Sequence, residues 1–122
     1  MFQPPIIAIV DDDELVREGL SYLIRSLGYE VNSFASAEDY LSSNCVADTS
    51  CLITDMNMPG MTGGDLQRRL LADGYRMPVL FMSASPEEHV RARAVTAGTV
   101  RFMNKPIDPE YLIQYLKQAL DG

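Results

Sequence analysis

Five short apolar segments recur along the chain, and longer stretches with helical periodicity or turn residues separate them. Short apolar runs that contain β-branched residues and are bounded by turn signals are typical of buried strands. The five segments are Ile6–Val10, Glu30–Phe34, Cys51–Asp55, Val79–Met82 and Val100–Asn104. Strands that alternate with helix-length segments form βαβ units and hence a parallel sheet. Because no linker or low-complexity tract interrupts the alternation, we expect a single α/β domain over residues 1–122.

The intervening stretches carry helix start and stop signals. The first predicted helix, Glu14–Leu27, places Val16, Leu20, Leu23, Ile24 and Leu27 on one face, and Gly28 follows it as a left-handed C′ residue. The predicted N-caps of the second to fifth helices are Ser36, Thr62, Ser85 and Asp108. The fourth predicted helix ends at Gly98 and has a face composed mainly of alanines, which buries little apolar area. We expect this helix to be the most loosely held.

Composition and charge narrow the classes of function. The chain is 47% hydrophobic and 22% charged, as is common for globular domains. Ten basic residues against seventeen acidic ones give a net charge of −7, which disfavours direct nucleic-acid binding and suits a domain that holds a cation or meets a basic partner. The apolar runs are too short to cross a bilayer, and the first residues do not form an export signal, so a cytoplasmic location is expected.

The two cysteines, Cys45 and Cys51, do not have the spacing of a metal site. Cys51 opens an apolar strand, and we expect it to be a small hydrophobic residue of the core. His89 is the single histidine and lies in the fourth predicted helix, away from the strand ends, where a solvated role is expected. A lone histidine provides neither a Ser-His-Asp triad nor a histidine-rich metal site.

Polar residues follow four of the five predicted strands. Asp11, Asp12 and Asp13 follow the first strand, and the other three residues are Asp55, Ser83 and Lys105. The carboxyl ends of parallel strands lie at one edge of a sheet, where ligands of open α/β sheets bind. We therefore expect these side chains to meet at one site.

Carboxylates that lie close together repel one another and require a cation. Mg²⁺ takes a few carboxylate or carbonyl oxygens and keeps several waters, and Mn²⁺ suits the same oxygen donors. Asp12 and Asp55 would bind the ion directly, the backbone carbonyl of Asn57 would add a ligand, and Asp11 would hold a metal-bound water. A carboxylate beside such an ion can attack a phosphoryl group to form an aspartyl phosphate.

The phosphoryl group would need donors for its negative charge. Lys105 offers an ammonium and Ser83 a hydroxyl, while Ala84 is small enough to leave the approach open. Each residue also has a simpler interpretation. Asp13 and its neighbours could cap the first helix, Ser83 could be a buried hydroxyl bonded to the backbone, and Lys105 could be a solvated surface lysine. The occurrence of all these residues at one sheet edge favours the joint interpretation.

The combination resembles the receiver domain of two-component response regulators, most closely the receivers attached to helix-turn-helix transcription factors. The residues that carry the resemblance are Val10-Asp11-Asp12, Asp55-Met56-Asn57-Met58-Pro59 with Gly63, Ser83-Ala84 and Lys105-Pro106. They span nearly the whole chain. The resemblance implies a flavodoxin-like (βα)5 doubly wound sandwich with a five-stranded parallel sheet in the order 2-1-3-4-5.

The same resemblance implies that Asp55 accepts a phosphoryl group from a phosphohistidine of a sensor histidine kinase, with Mg²⁺ held at Asp11 and Asp12. It implies that Ser83 and Lys105 engage the phosphate and that the Lys105–Pro106 peptide bond is cis. The protein would promote its own phosphotransfer and dephosphorylation without being a turnover enzyme.

Phe102 matches the aromatic switch position of the family. It would swing inward as Ser83 moves toward the phosphate and would repack the surface formed by the fourth helix, the fifth strand and the fifth helix. A plain core aromatic is the alternative. The resemblance also implies a homodimer on phosphorylation and a C-terminal DNA-binding output domain outside this chain, with no direct nucleic-acid or membrane contact by the receiver itself.

Three alternatives remain from the sequence. A stand-alone receiver would act through protein–protein contacts alone. A Mg²⁺-dependent phosphatase with an aspartate nucleophile, of the haloacid dehalogenase type, would need a second acid where Asn57 stands. A flavodoxin-like module would hold a flavin at the same edge, although the loops lack a Ser/Thr-rich phosphate cradle and paired aromatics.

Overall fold

The computed structural model describes residues 3–84, Glu87 and residues 101–121. Within this part of the chain, five strands form one parallel sheet in the order β2-β1-β3-β4-β5. The strands are β1 Ile6–Val10, β2 Glu30–Phe34, β3 Cys51–Asp55, β4 Val79–Ser83 and β5 Arg101–Asn104. The predicted parallel α/β fold and its strand order are confirmed, and β4 is one residue longer than predicted.

The helices of the described ranges are α1 Glu14–Ser26, α2 Ala37–Ser42, α3 Gly63–Ala72 and α4 Pro109–Asp121. The helix α4 is the fifth predicted helix. The fourth predicted helix, from Ser85 to Gly98, and His89 within it lie outside the described residues, apart from Glu87.

Helices cover both faces of the sheet. Successive residues along a strand point to opposite faces, and the residues of each face belong to a separate buried cluster. Ile7, Ile9 and Ile53 face the helices α1 and α4, whose Leu20, Ile24, Leu112 and Leu116 are buried against them. Ala8, Val10, Leu52 and Phe81 face α2 and α3, whose Ala37, Tyr40, Leu66 and Leu70 are buried on that side. The doubly wound arrangement follows from strands that are apolar at consecutive positions rather than at every second one.

The helix termini are formed by the residues that the sequence indicated. The Asp13 side chain caps α1 by accepting hydrogen bonds from the backbone amides of Leu15 and Val16, which confirms its predicted capping role. Thr62 and Asp65 form a reciprocal capping box at the start of α3. Gly28 has a φ of 97°, as expected for a left-handed C′ residue.

The predicted apolar face of α1 is buried at Leu20 and Ile24, partly buried at Val16 and Leu23, and exposed at Leu27. Leu27 is the C-cap residue, and 36% of its surface is exposed. Gly28, with a φ of 97°, follows Leu27 and ends the helix. Leu27 therefore lies at the exposed end of this face, whereas Leu20 and Ile24 are buried in the middle of the helix.

The Cys51 thiol is fully buried beneath α4, 3.8 Å from the Tyr115 hydroxyl, which confirms its predicted place in the core. Across the described ranges, no helix has the length and apolar character that a bilayer crossing requires.

The burial of Cys51 leads to a prediction about alkaline stability. Burial raises the pKa of the Cys51 thiol to about 12 from its usual value of 9.0. The unfolded chain loses this proton first, so the free energy of unfolding should fall between these two pH values, by roughly 1 kcal/mol per pH unit from this group. Urea unfolding at several pH values above 9 would show a shallower decline in Cys51→Ala. An equal slope in both proteins would contradict the prediction.

Candidate functional site

Asp11 follows β1 directly and has no exposed surface. Its backbone amide donates to the carbonyl of Phe34 at 3.1 Å, which joins it to the end of β2. Its side-chain Oδ1 accepts a hydrogen bond of 2.9 Å from the backbone amide of Asp13. The loop after β1 therefore turns the Asp11 carboxylate inward and holds it at the carboxyl edge of the sheet.

Asp55 is the last residue of β3 and is 7% exposed. Its Oδ1 accepts a hydrogen bond of 3.2 Å from the backbone amide of Asn57, and this bond closes the first turn of the following loop. The loop is tied to its surroundings on both sides, because Met56 donates its amide to the carbonyl of Met82 and accepts from the amide of Gly63. These backbone bonds leave Oδ2 of Asp55 directed at the centre of the site.

Lys105 joins the two carboxylates. Its Nζ lies 3.0 Å from Oδ2 of Asp11 and 3.1 Å from Oδ2 of Asp55. The lysine backbone is fixed by a hydrogen bond of 2.9 Å from its amide to the carbonyl of Ser83, and the Lys105–Pro106 peptide bond is cis, as the family resemblance implied. With 26% of its side chain exposed and two ion pairs, Lys105 is not the solvated surface lysine of the alternative interpretation.

Asp12 completes an acidic cluster with the two buried carboxylates. One ligand oxygen from each of Asp11, Asp12 and Asp55 lies within 4.8 Å of the others. Oδ2 of Asp11 is buried, and its partner is the Lys105 ammonium, which lies 3.0 Å away as an ion pair. A cluster of hard oxygen donors that includes such an oxygen fits a hard divalent cation such as Mg²⁺.

The electrostatics of the site follow from its burial. Burial and the neighbouring Asp11 carboxylate raise the pKa of Asp55, although the Asn57 amide and Lys105 act in the opposite direction. For Lys105, burial opposes the charge, but the bonds to Asp11 and Asp55 outweigh it and raise the pKa of the ammonium. Lys105 is therefore a firmly charged donor, and Asp55 is a more basic carboxylate than an exposed one.

The other predicted site residues lie at the same edge. Ser83, the last residue of β4, is fully buried, and the adjacent Ala84 is exposed. Asn57 is exposed in the loop after Asp55, and the metal role of its backbone carbonyl stays a prediction. Phe102 is 8% exposed and stacks on Phe81 with ring centroids 5.5 Å apart. This position agrees with both a switch residue and a plain core aromatic.

Two contacts of the site were not anticipated from the sequence. Arg17 donates from Nη1 to the backbone carbonyl of Asp11 at 2.6 Å. Glu38 of α2 accepts from the amide of Met61 at 3.3 Å and thereby contacts the loop that follows Asp55. A signal for Arg17 was present, since helical side chains point toward the N-terminus of their helix and reach the preceding loop. The sequence contains no indication of the Glu38 contact, because only the tertiary structure brings α2 beside that loop.

Comparison with known proteins identifies the family to which the chain belongs. The model of the response regulator receiver domain family matches residues 7–117. The chain belongs to this family. The predicted resemblance is thereby confirmed, and its site motifs lie within the matched range.

The relatives of this receiver domain are response regulators. The response regulator protein TmoT of Ectopseudomonas mendocina is 39% identical over 118 residues, which cover 97% of this chain and 54% of TmoT. The response regulator protein TodT of Pseudomonas putida is 39% identical over 115 residues, which cover 94% of this chain and 51% of TodT. The transcriptional regulatory protein FixJ of Azorhizobium caulinodans is 33% identical and is covered to 53% of its length. The chain spans about half the length of the curated relatives it matches.

Solved structures agree with this assignment. The response regulator StyR has a TM-score of 0.84 and 37% identity, with 98% of this chain and 60% of the StyR chain covered. The structure named FixJ-N has a TM-score of 0.82 and 29% identity, with 98% of this chain and 96% of that chain covered. The receiver is thus a CheY-like, flavodoxin-like domain whose homologues are transcriptional regulators.

Proposed function

We propose that this receiver is a phosphorylation-activated switch in which Asp55 accepts a phosphoryl group from a sensor histidine kinase. The observation that carries the proposal is the convergence of two buried carboxylates and one ammonium, with Lys105 Nζ within 3.1 Å of an oxygen of both Asp55 and Asp11. Buried charges are costly, and a charged cluster at the rim of the sheet is more easily explained by chemistry than by stability.

In the proposed reaction, an Asp55 carboxylate oxygen attacks the phosphorus of a phosphohistidine. The new bond joins that oxygen to phosphorus, the N–P bond breaks, and the imidazole nitrogen takes up a proton. Both Asp55 oxygens are held before the reaction, Oδ1 by the Asn57 amide and Oδ2 by the Lys105 ammonium.

Asp12 and Asp55, with the Asn57 carbonyl, would hold Mg²⁺, and Asp11 would bind it through water. When bound, the ion neutralises the clustered carboxylates and the charge of the incoming phosphoryl group. The three carboxylate oxygens of Asp11, Asp12 and Asp55, which lie within 4.8 Å of one another, support this assignment. Mn²⁺ would suit the same oxygen donors.

Lys105 and Ser83 would donate hydrogen bonds to the negatively charged oxygens of the phosphoryl group once it is on Asp55. Lys105 already contacts the acceptor oxygen, so its ammonium needs little movement to donate to a phosphate there. Ser83 ends the strand beside Asp55, because the register pairs Asp55 with Met82. Phe102 is already buried against Phe81, so movement of Ser83 toward the phosphate would transmit the change to the surface around β5 and α4 by repacking Phe102 within the core.

Incubation with acetyl phosphate and Mg²⁺, followed by intact-mass measurement, tests the proposal. We expect at most one phosphoryl group per chain, lost in alkali and retained in acid, and no labelling when EDTA removes the metal. Sustained release of phosphate over many turnovers would favour the phosphatase alternative. A yellow chromophore that copurifies would favour the flavin-binding alternative. Absence of label with an intact metal supply would contradict the proposal.

We also infer that the phosphorylated receiver forms a homodimer, because the charge added at Asp55 can bias a surface with two arrangements. The surface in question combines β5 and α4 with the fourth predicted helix, which lies outside the described residues. Sedimentation velocity with and without a non-hydrolysable phosphate mimic measures the effect. We expect a monomer without the mimic and a dimer with it. An unchanged sedimentation coefficient would exclude this mode of output.

Transcriptional control through a C-terminal DNA-binding domain is the output we propose for the whole protein. The support is that homologues such as TodT and FixJ are about twice as long as the matched region, and that FixJ is named a transcriptional regulatory protein. The net charge of −7 supports a receiver that makes no nucleic-acid contact of its own. Its partners would then be the sensor kinase and a second copy of the protein, in the cytoplasm.

A further inference from the structure

Two sets of hydrogen bonds join the loop that carries Asp11 and Asp12 to α1. Asp13 caps the helix, and its carbonyl accepts the amide of Arg17 at 3.1 Å. The Arg17 side chain then turns back along the helix and donates from Nη1 to the carbonyl of Asp11 at 2.6 Å. The guanidinium therefore bonds the backbone of the residue whose carboxylate is the most deeply buried in the site.

We infer that Arg17 is a positioning residue for the metal site, acting through the backbone of Asp11. The inference rests on the proposed function, because it assumes that the acidic cluster holds a divalent cation. The carbonyl of Asp11 belongs to the loop between β1 and α1, where few hydrogen bonds of a regular element are available. A charge-assisted bond at this carbonyl restricts the direction of both Asp11 and Asp12.

The charge and the hydrogen bond of Arg17 have opposite effects on cation binding, and this makes the inference testable. A positive charge near the cluster repels a second cation, so removal of the charge alone should tighten Mg²⁺ binding, by about threefold for a partly screened charge. Removal of the hydrogen bond should loosen the two aspartates and weaken binding. The sign of the change in affinity therefore separates the two roles.

Arg17→Met removes the charge and the donor while it keeps much of the length of the side chain. We expect its Mg²⁺ affinity to fall by about tenfold, since loss of a charge-assisted hydrogen bond outweighs the electrostatic gain. Arg17→Lys keeps a charged donor with a similar reach and should recover binding to within about threefold of wild type. The matched control is Arg25→Met, which removes the same charge from an exposed position near the end of α1.

The measurement is urea unfolding of the full chain at a series of MgCl₂ concentrations. The increase in unfolding free energy with Mg²⁺ gives the affinity, while the value without Mg²⁺ reports stability separately. A merely structural role would lower the metal-free stability of Arg17→Met and leave its response to Mg²⁺ unchanged. A positioning role shifts the response to higher Mg²⁺, while Arg25→Met responds as wild type does.

Phosphorylation provides the second readout. The rate of labelling by acetyl phosphate in Arg17→Met should approach the wild-type rate at saturating Mg²⁺, with only the half-saturating concentration raised. Equal or tighter Mg²⁺ binding by Arg17→Met overturns the role of Arg17 and leaves the proposed function intact. Failure of the wild-type protein itself to respond to Mg²⁺ overturns both proposals.

Discussion

Asp55→Asn is expected to abolish covalent phosphorylation by acetyl phosphate, with labelling falling from stoichiometric to undetectable. The amide cannot act as the nucleophile, and of the two carboxylates that contact Lys105, Asp55 is the one that has exposed surface. Intact-mass measurement over the same time course as for the wild type provides the test. Full labelling of the variant would show that another residue is the acceptor.

Loss of labelling is informative only if Asp55→Asn remains folded, and the electrostatics of the site predict that it does. Burial raises the pKa of Asp55. Because the unfolded chain therefore releases this proton at lower pH than the folded protein does, the free energy of unfolding of the wild type falls as the pH rises from 3.8 through the raised pKa. At neutral pH, replacement of the charged Asp55 carboxylate by a neutral amide therefore removes the unfavourable free energy of burying that charge. We expect the urea midpoint of Asp55→Asn to equal or exceed that of the wild type.

A conservative exchange distinguishes position from chemistry at the same residue. Asp55→Glu keeps the carboxylate but displaces it by a methylene group from Lys105 and from the Asn57 amide. We expect labelling at least tenfold slower than in the wild type, because effective nucleophilic attack depends on geometry at the scale of an ångström. Wild-type labelling by this variant would mean that the bonds around Asp55 do not position it for the reaction.

Gly63→Ala is expected to destabilise the protein strongly. A Cβ at Gly63 would lie 2.3 Å from the backbone oxygen of Asp55 and 3.2 Å from the Cα of Met56. Both contacts are to the backbone, so no flexible side chain can move aside. We expect the free energy of unfolding to fall by about 3 kcal/mol, the scale of severe overpacking.

The effect of Gly63→Ala should extend to the site, because relief of the clash requires the start of α3 and the loop after Asp55 to separate. Mg²⁺ binding, measured by its effect on unfolding, should weaken together with stability. The control is Gly19→Ala in α1, where a Cβ would meet nothing within 4 Å. At this exposed helical position, alanine should stabilise the protein by up to about 1 kcal/mol. Wild-type stability in Gly63→Ala would contradict the packing at this turn.

The local sequence determined the elements of the fold with little error. Apolar segments bounded by turn residues indicate strands, and Ser36, Thr62 and Gly28 act through neighbours a few residues away. Such signals need no tertiary context, because capping bonds and left-handed turns are local. Leu27 shows the limit of this approach. Helical periodicity places it on the apolar face of α1, but burial depends on tertiary contacts, and Leu27 is exposed.

The sequence also determined which residues could form the site, since strand order and the parallel direction bring Asp11, Asp55, Ser83 and Lys105 to one edge. It did not determine how they are held. The contact of Lys105 with both buried carboxylates, the hydrogen bond from Arg17 to the Asp11 carbonyl, and the approach of Glu38 to the loop after Asp55 join segments whose separation depends on packing. Hydrophobic burial sets those separations, and burial is a property of the assembled layers rather than of any one segment.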